Sequence, residues 1–159
     1  MSMTGTELPL ALIRPRNTSE VAAAMRICNA HGASVVPQGG LTGLAGGANA
    51  RQGDIALSLD LLNGIEELDA EAGTLTVLAG TPLERAQAAA AEAGFLLPLD
   101  LGSRGTAQVG GNLSTNAGGN RVIRYGMARA QVLGLEAVLA DGTVLSSLNK
   151  MLKNNAGSI

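Results

Sequence analysis

The stretch Pro-Gln-Gly-Gly-Leu-Thr-Gly-Leu-Ala-Gly-Gly, residues 37–47, is the most informative part of this chain for its fold. This first glycine loop follows an apolar strand predicted over residues 34–37, and it contains five glycines and no lysine or arginine. Successive backbone N–H groups in such a loop can converge on an anion and bind phosphate oxygens. Neutral donors suit a pyrophosphate that stays bound. Glycine content alone also leaves open a flexible surface turn.

A β-α-β unit is predicted to lead into the first glycine loop. Leu8–Ile13 is an apolar strand, and Asn17 can cap a following helix while Glu20 reaches back to complete the cap. Apolar residues then recur at helical spacing, and Gly32 is placed to end the helix in a left-handed turn.

The chain after the first glycine loop reads mainly as strands and hairpins. A strand is predicted over residues 54–62, and the pattern 81–84 predicts a helix with Thr81 as N-cap, Pro82 in the first position and an end at Gly94. Two hairpins are predicted, one over residues 65–69 and 74–79 and one over 135–140 and 143–146. The predicted fold class is α+β.

A second glycine segment, residues 98–120, contains Gly-Gly pairs separated by small and amide side chains. Such residues can lie flat against a planar ring while their amides hydrogen-bond its heteroatoms. A loop that is merely rich in turn-forming residues is the alternative. Two such loops in one small domain favour a ligand site.

Composition and missing motifs exclude several classes of protein. The net charge is −2, and the sequence has no basic stripe of the kind that binds nucleic acid. The single cysteine allows no internal disulfide. The sequence contains no G-x-G-x-x-G, no Gly-Lys pair of a Walker A loop and no nucleophile elbow. No apolar run has the length of a membrane span. We therefore predict one cytoplasmic domain.

Four motifs, taken in order, resemble the FAD-linked oxidases of the p-cresol methylhydroxylase and vanillyl-alcohol oxidase type. They are RPRNTSEV from Arg14, VPQGGLTGLAGGA from Val36, PLDLGSRGTAQVGGNLSTNAGGNRVIRYG from Pro98 and KMLKNNAG from Lys150. Within that family the chain is similar to the branch of D-lactate dehydrogenases, the glycolate oxidase D subunit and D-2-hydroxyglutarate dehydrogenase. The resemblance implies a β-α-β subdomain over residues 1–64 and an incomplete antiparallel subdomain over residues 65–159.

The resemblance also implies which residues bind FAD. Residues Gln38, Gly39, Gly40, Leu41, Thr42 and Gly43 match the family loop whose backbone binds the pyrophosphate. Gly102 and Ser103 match a segment that approaches the flavin from the other side. The stretch along the ring and ribityl chain is matched by Gly111, Asn112, Asn116, Ala117 and Gly119. The first glycine loop has no histidine, so the resemblance implies non-covalent FAD.

The implied activity is oxidation of a small 2-hydroxy acid with hydride transfer to FAD, followed by electron transfer to a protein, quinone or oxygen. The family's closing Gly-Ser-Glu-Gly segment and substrate domain are absent from this sequence, so a fragment is expected. The alternatives are an inactive module or subunit that needs a partner, and a binder of another phosphate ligand. A homo-oligomer is compatible with the sequence.

No catalytic residue and no metal ligand is assigned to this chain. His31, the single histidine, lies near a predicted helix end, where an imidazole favours the negative end of the helix dipole. Cys28 lies on the apolar face of that helix and is expected to be a buried small hydrophobe. Solvated surface charge is the expected role of the arginines near the second glycine segment, which are Arg104, Arg121, Arg124 and Arg129.

Overall fold

A computed structural model describes residues 8–148 of the chain. Its first part is a parallel sheet of three strands, in the order β1-β3-β2, with one helix between the first two strands in sequence. These elements are β1 (Ala11–Ile13), α1 (Thr18–Ala30), β2 (Val35–Gln38) and β3 (Ile55–Ser58). The motif from Lys150 lies outside the described residues.

Local capping places α1 as predicted. The side-chain oxygen of Asn17 accepts a hydrogen bond of 2.9 Å from the backbone N–H of Glu20, and the Glu20 carboxylate accepts one of 2.7 Å from the N–H of Arg16. At the other end, Gly32 has a φ of +62°, the left-handed conformation that ends many helices. The predicted N-cap residue and the predicted stop are both confirmed, while Glu20 reaches back to Arg16, one residue before the N-cap.

The parallel sheet places the first glycine loop at one edge. Strand β3 lies between β1 and β2, and its residues Ile55, Ala56 and Leu57 are buried. Parallel strands have their carboxyl ends at the same edge, and the first glycine loop leaves β2 there. At this edge Arg14, just after β1, pairs with Asp60, just after β3. Strand β1 is shorter than predicted, because only residues 11–13 pair with β3.

Two antiparallel hairpins follow, as predicted. They are β4 (Ile65–Asp69) with β5 (Thr74–Val77), and β6 (Leu135–Val138) with β7 (Val144–Ser147). The second hairpin lies against α1: Gly142 in its turn has a φ of +81°, and a Cβ there would lie 2.6 Å from the carbonyl oxygen of Ala22. The chain thus returns to pack its last described hairpin on its first helix.

Helix α2 (Leu83–Glu92) forms where predicted, but Thr81 does not cap it. The N-cap residue is Pro82, which offers no side-chain hydrogen bond. The hydroxyl of Thr81 is instead bonded to Gly64, donating to its carbonyl at 2.9 Å and accepting from its N–H at 3.0 Å. The free N–H groups at the start of α2 donate to the carbonyls of Ala107 and Arg104. Tertiary contacts therefore replace the predicted local cap.

The second glycine segment was predicted as a loop, and over residues 109–114 that prediction is wrong. Helix α3 (Val109–Ser114) forms there, followed by α4 (Val122–Tyr125) and a 3₁₀ turn at Ala128–Gln131. Glycine disfavours helix, but at Gly110 it is needed, because a Cβ would lie 2.8 Å from the Cβ of Ala79. The N–H of Gly110 donates to the Ala79 carbonyl at 2.8 Å.

The second part of the chain has a small aliphatic core. Buried residues from α2, the second glycine segment and the 3₁₀ turn meet in this cluster, which consists of Leu83, Leu99 and Ala128 with the partly buried Leu97, Leu101 and Leu113 around them. The mixed α and β content confirms the predicted fold class. No helix within residues 8–148 combines the length and apolarity needed to cross a membrane.

Candidate functional site

The first glycine loop contacts the second glycine segment directly. A Cβ on Gly40 would overlap the carbonyl oxygen of Thr106 and lie 2.6 Å from its carbonyl carbon. A Cβ on Gly39 would lie 3.4 Å from Oε1 of Gln108 and 3.9 Å from the Cα of Gly111. The two segments therefore meet backbone to backbone. Only glycine at position 40 permits this approach.

Beyond this contact the first glycine loop is open. No hydrogen bond joins the backbone N–H groups of residues 40–45 to another residue within 8–148. The amide of Gln38 closes the base of the loop with a 2.9 Å hydrogen bond to the carbonyl of Ala48. Leu41 has a φ of +55°, which a leucine rarely adopts, and its side chain is exposed. A row of unpaired donors is the arrangement that binds anions.

The other predicted site residues of the first glycine loop, Thr42 and Gly43, are exposed. Of those in the second segment, Gly102 is also exposed, while the carbonyl of Ser103 accepts hydrogen bonds from Thr106 and Ala107 at 2.9 and 2.8 Å. These bonds stabilise the turn against which Gly40 packs. No atom lies within 4 Å of a Cβ built on Gly111, which leaves open space beside α3.

The predicted site residues after α3 contact other parts of the chain. A Cβ on Gly119, whose φ is +141°, would lie 2.9 Å from the carbonyl carbon of Asp100. Asn116 has a φ of +49°, and its side-chain oxygen accepts a 3.0 Å hydrogen bond from the N–H of Arg129. The carbonyl of Ala117 accepts one of 2.9 Å from Ala128. These contacts are with Asp100 and residues 128–129.

Two buried amides lack partners, one on the N-cap residue of α3 and one within that helix. Gln108 and Asn112 are 8% and 6% exposed, yet Oε1 of Gln108 and Nδ2 of Asn112 have no hydrogen-bond partner among the described residues. Buried polar atoms are nearly always paired, so both need a ligand or water. Asn112 was predicted as a site residue from the resemblance, whereas Gln108 was not predicted. The sequence feature that could have indicated Gln108 is an amide side chain directly before Val-Gly-Gly, in a segment otherwise rich in small residues.

The charges near the second glycine segment are paired with one another. Asp100 lies 3.7 Å from the guanidinium of Arg104 and 3.8 Å from that of Arg121, and both arginines are about half exposed. Exposed pairs of this kind contribute little to stability. Arg124 lies over the ring of Tyr125, 5.1 Å from its centroid. Surface roles for these three arginines agree with the prediction.

The single histidine and single cysteine have structural positions. His31 is the C-cap residue of α1, and its Nδ1 lies 2.8 Å from the carbonyl oxygen of Ile27. Cys28 is buried on the same helix. Neither residue belongs to the contact between the two glycine segments.

The sequence pattern of the FAD binding domain family matches residues 9–147. The chain belongs to this family. Two curated relatives are a mitochondrial D-2-hydroxyglutarate dehydrogenase of Bos taurus, 48% identical over 92% of this chain and 27% of the relative, and the enzyme of the same name from Xanthomonas citri, 47% identical over 96% and 32%. The chain thus spans about a third or less of these relatives.

Among solved structures, this FAD-binding domain is similar to 6-hydroxy-D-nicotine oxidase from Arthrobacter nicotinovorans. The TM-score is 0.79, with 23% identity over 91% of this chain and 31% of that one. At this level of sequence identity, the similarity shows a shared fold and nothing further. The resemblance to FAD-linked oxidases, and FAD as the cofactor of the family, are confirmed. The predicted cytoplasmic location is wrong, because the bovine relative and others from fish and plants are named as mitochondrial.

The residues of this FAD-binding domain fit FAD. A pyrophosphate accepts hydrogen bonds, and the open N–H groups of residues 40–45 can donate them. A flavin ring is flat, and Gly111 leaves open space beside α3. The unpartnered atoms of Gln108 and Asn112 are one acceptor and one donor, and FAD offers both donors and acceptors that can pair with them.

Proposed function

We propose that this chain is the FAD-binding part of a flavin-dependent oxidoreductase that oxidises a small 2-hydroxy acid of the D-lactate, glycolate or D-2-hydroxyglutarate type. The names of the relatives support this substrate class. The contact of Gly40 with Thr106 carries the proposal, because it brings a loop of free N–H donors against the second glycine segment. Flavin supplies hydride acceptance in such enzymes, while the protein holds and orients it.

In this proposal the backbone of Gln38–Gly43 binds the pyrophosphate. The flavin and ribityl chain lie against the second glycine segment, with contacts from Gly102, Ser103, Gly111, Asn112, Asn116, Ala117 and Gly119. Residues 1–64 and 65–159 form the two lobes around the cofactor. FAD is held non-covalently, since the first glycine loop contains no histidine. The chain supplies cofactor binding and no catalytic residue.

The test is a titration of the purified chain with FAD, followed by flavin fluorescence and absorbance. Nothing lies within 4 Å of a Cβ on Gly43, so Gly43→Asp introduces a carboxylate without a clash. Repulsion of the pyrophosphate should weaken FAD binding about tenfold or more. Ala72→Asp, in the exposed turn between β4 and β5, adds the same charge elsewhere. Equal affinities of the two variants would contradict the proposed loop contact.

A second candidate is a folded chain that needs a partner or further residues to bind FAD and turn over. This candidate is supported by the short length of the match, since the chain matches only about 27–32% of the relatives' length. This candidate predicts no reduction of an artificial electron acceptor when D-lactate, glycolate or D-2-hydroxyglutarate is added with FAD, and weak or absent FAD binding. Measurable turnover by the chain alone would exclude it.

A further inference from the structure

The two buried amides of Gln108 and Asn112 point to a specific part of the cofactor. Gln108 precedes α3, and Asn112 lies one turn further along, where its backbone N–H donates to the Gln108 carbonyl at 3.0 Å. Residues four apart lie on the same helix face. Their side chains therefore present an acceptor and a donor from one face of a short helix.

The position of Gln108 relates this pair to the first glycine loop. Its Oε1 lies 3.4 Å from the position that a Cβ on Gly39 would occupy, and glycine leaves that position empty. The amide is thus at the seam where the two glycine segments meet. Burial without a partner weakens the ligand-free fold, so two such groups four residues apart, one of them at this seam, indicate a ligand that pairs with them.

We propose that Gln108 and Asn112 bind the polar edge of the flavin ring, with Gln108 accepting a hydrogen bond from the ring N3–H and Asn112 donating to an adjacent ring carbonyl. This inference rests on the proposed function. A pyrophosphate only accepts hydrogen bonds and would leave Oε1 of Gln108 unpaired. Ribityl hydroxyls can both donate and accept, so the experiment must separate them from the ring.

The first measurement compares stability without FAD and affinity for FAD. Gln108→Met keeps the length of the side chain and removes its polar atoms. The melting temperature of the ligand-free variant should be unchanged or higher, because an unpaired buried acceptor is removed. Its Kd for FAD should rise about tenfold.

Gln87→Met is the matched control. The amide of Gln87 is partly buried and already donates to the carbonyl of Leu99 at 2.7 Å. This variant should lose stability without a change in FAD affinity. If Gln108→Met instead lowers the melting temperature and leaves the Kd for FAD unchanged, Gln108 is structural and the inference is overturned. Asn112→Leu gives an independent readout with the same expected outcome as Gln108→Met.

The second measurement uses FAD methylated at N3, which cannot donate from that position. The wild-type chain should bind it about tenfold more weakly than FAD, whereas Gln108→Met should bind both nearly equally. If methylation raises the Kd by the same factor in the wild-type chain and in Gln108→Met, Gln108 does not contact N3 of the ring. It then contacts the ribityl chain or does not contact FAD, and the ring assignment is overturned. Absence of FAD binding by the wild-type chain would overturn the proposal that this chain binds FAD by itself and would favour the second candidate. Normal FAD binding by the wild-type chain, with no change in the Gln108 variant, would overturn only the inference about Gln108.

Discussion

The two glycine segments have similar compositions and use glycine for different purposes. In the first, residues 40–45 leave their N–H groups unpaired, and the loop is exposed. In the second, Gly110 and Gly119 let the backbone pass close to Ala79 and Asp100, and nearby N–H groups are bonded to carbonyls. Glycine frees donors in one segment and permits close packing in the other.

The two uses meet at Gly40. This residue belongs to the open loop in sequence and to the packed segment in space, since it lies against Thr106 and Ala107. The comparison therefore predicts that the tolerance for a side chain changes sharply between Gly40 and Gly43. Four sets of substitutions test this contrast and the supports of each segment.

The largest effect is expected for Gly40→Ala. Its Cβ would overlap the Thr106 carbonyl, a backbone group that cannot move aside cheaply. The free energy of unfolding should fall by about 3 kcal/mol. Gly43→Ala is the matched control, because nothing lies within 4 Å of its Cβ, and its effect should stay within about 0.5 kcal/mol. Urea denaturation measures both. Equal losses would remove the distinction between the two ends of the loop.

The second largest effect is expected at Thr81, which anchors the second glycine segment. Thr81 is fully buried, its hydroxyl is bonded to Gly64, and its carbonyl accepts from the N–H of Val109 at 2.9 Å. Thr81→Val should lower the free energy of unfolding by about 2 kcal/mol, because Gly64 loses both side-chain hydrogen bonds. Thr106→Val, which removes an exposed hydroxyl, should cost less than about 0.5 kcal/mol. A neutral Thr81→Val would show that local packing alone holds the segment.

Each segment also contains one non-glycine residue with positive φ. Leu41 at +55° has no stabilising side-chain hydrogen bond, whereas Asn116 at +49° accepts one from Arg129. Leu41→Gly should raise the free energy of unfolding by up to about 1 kcal/mol through relief of backbone strain. Asn116→Ala should lower it by about 1 kcal/mol. Thermal melts decide the signs, and a destabilising Leu41→Gly would mean that the leucine side chain packs in solution.

The smallest effect depends on pH. Hydrogen bonds from Arg14 and Ser58 and the charge of Arg14 lower the pKa of Asp60 from 3.8 to about 2. The stabilisation is present above the unfolded pKa and is lost as the pH falls towards 2. The melting temperatures of wild type and Asp60→Asn should therefore differ at pH 5 and converge near pH 2. Because the pair is exposed, salt should shrink the difference. A gap that is constant with pH would contradict this account.

Short-range signals in the sequence predicted the local elements well. The Asn17 cap, the Gly32 stop and both hairpins lie where expected, because their hydrogen bonds join residues a few positions apart. Site prediction was less complete. Asn112 was named from the resemblance, but Gln108 was not, because burial without a partner is visible only in the folded chain.

The sequence alone determined the absence of charge in the first glycine loop, the order of the strands and of helices α1 and α2, and the membership of an FAD-binding family. Tertiary structure alone decided that Thr81 bonds Gly64 instead of capping α2, that residues 109–114 are helical, and that Gly40 lies against Thr106. The physical reason is the distance along the chain. Local hydrogen bonds depend on neighbouring residues, whereas these contacts exist only after chain folding has brought remote backbone groups together.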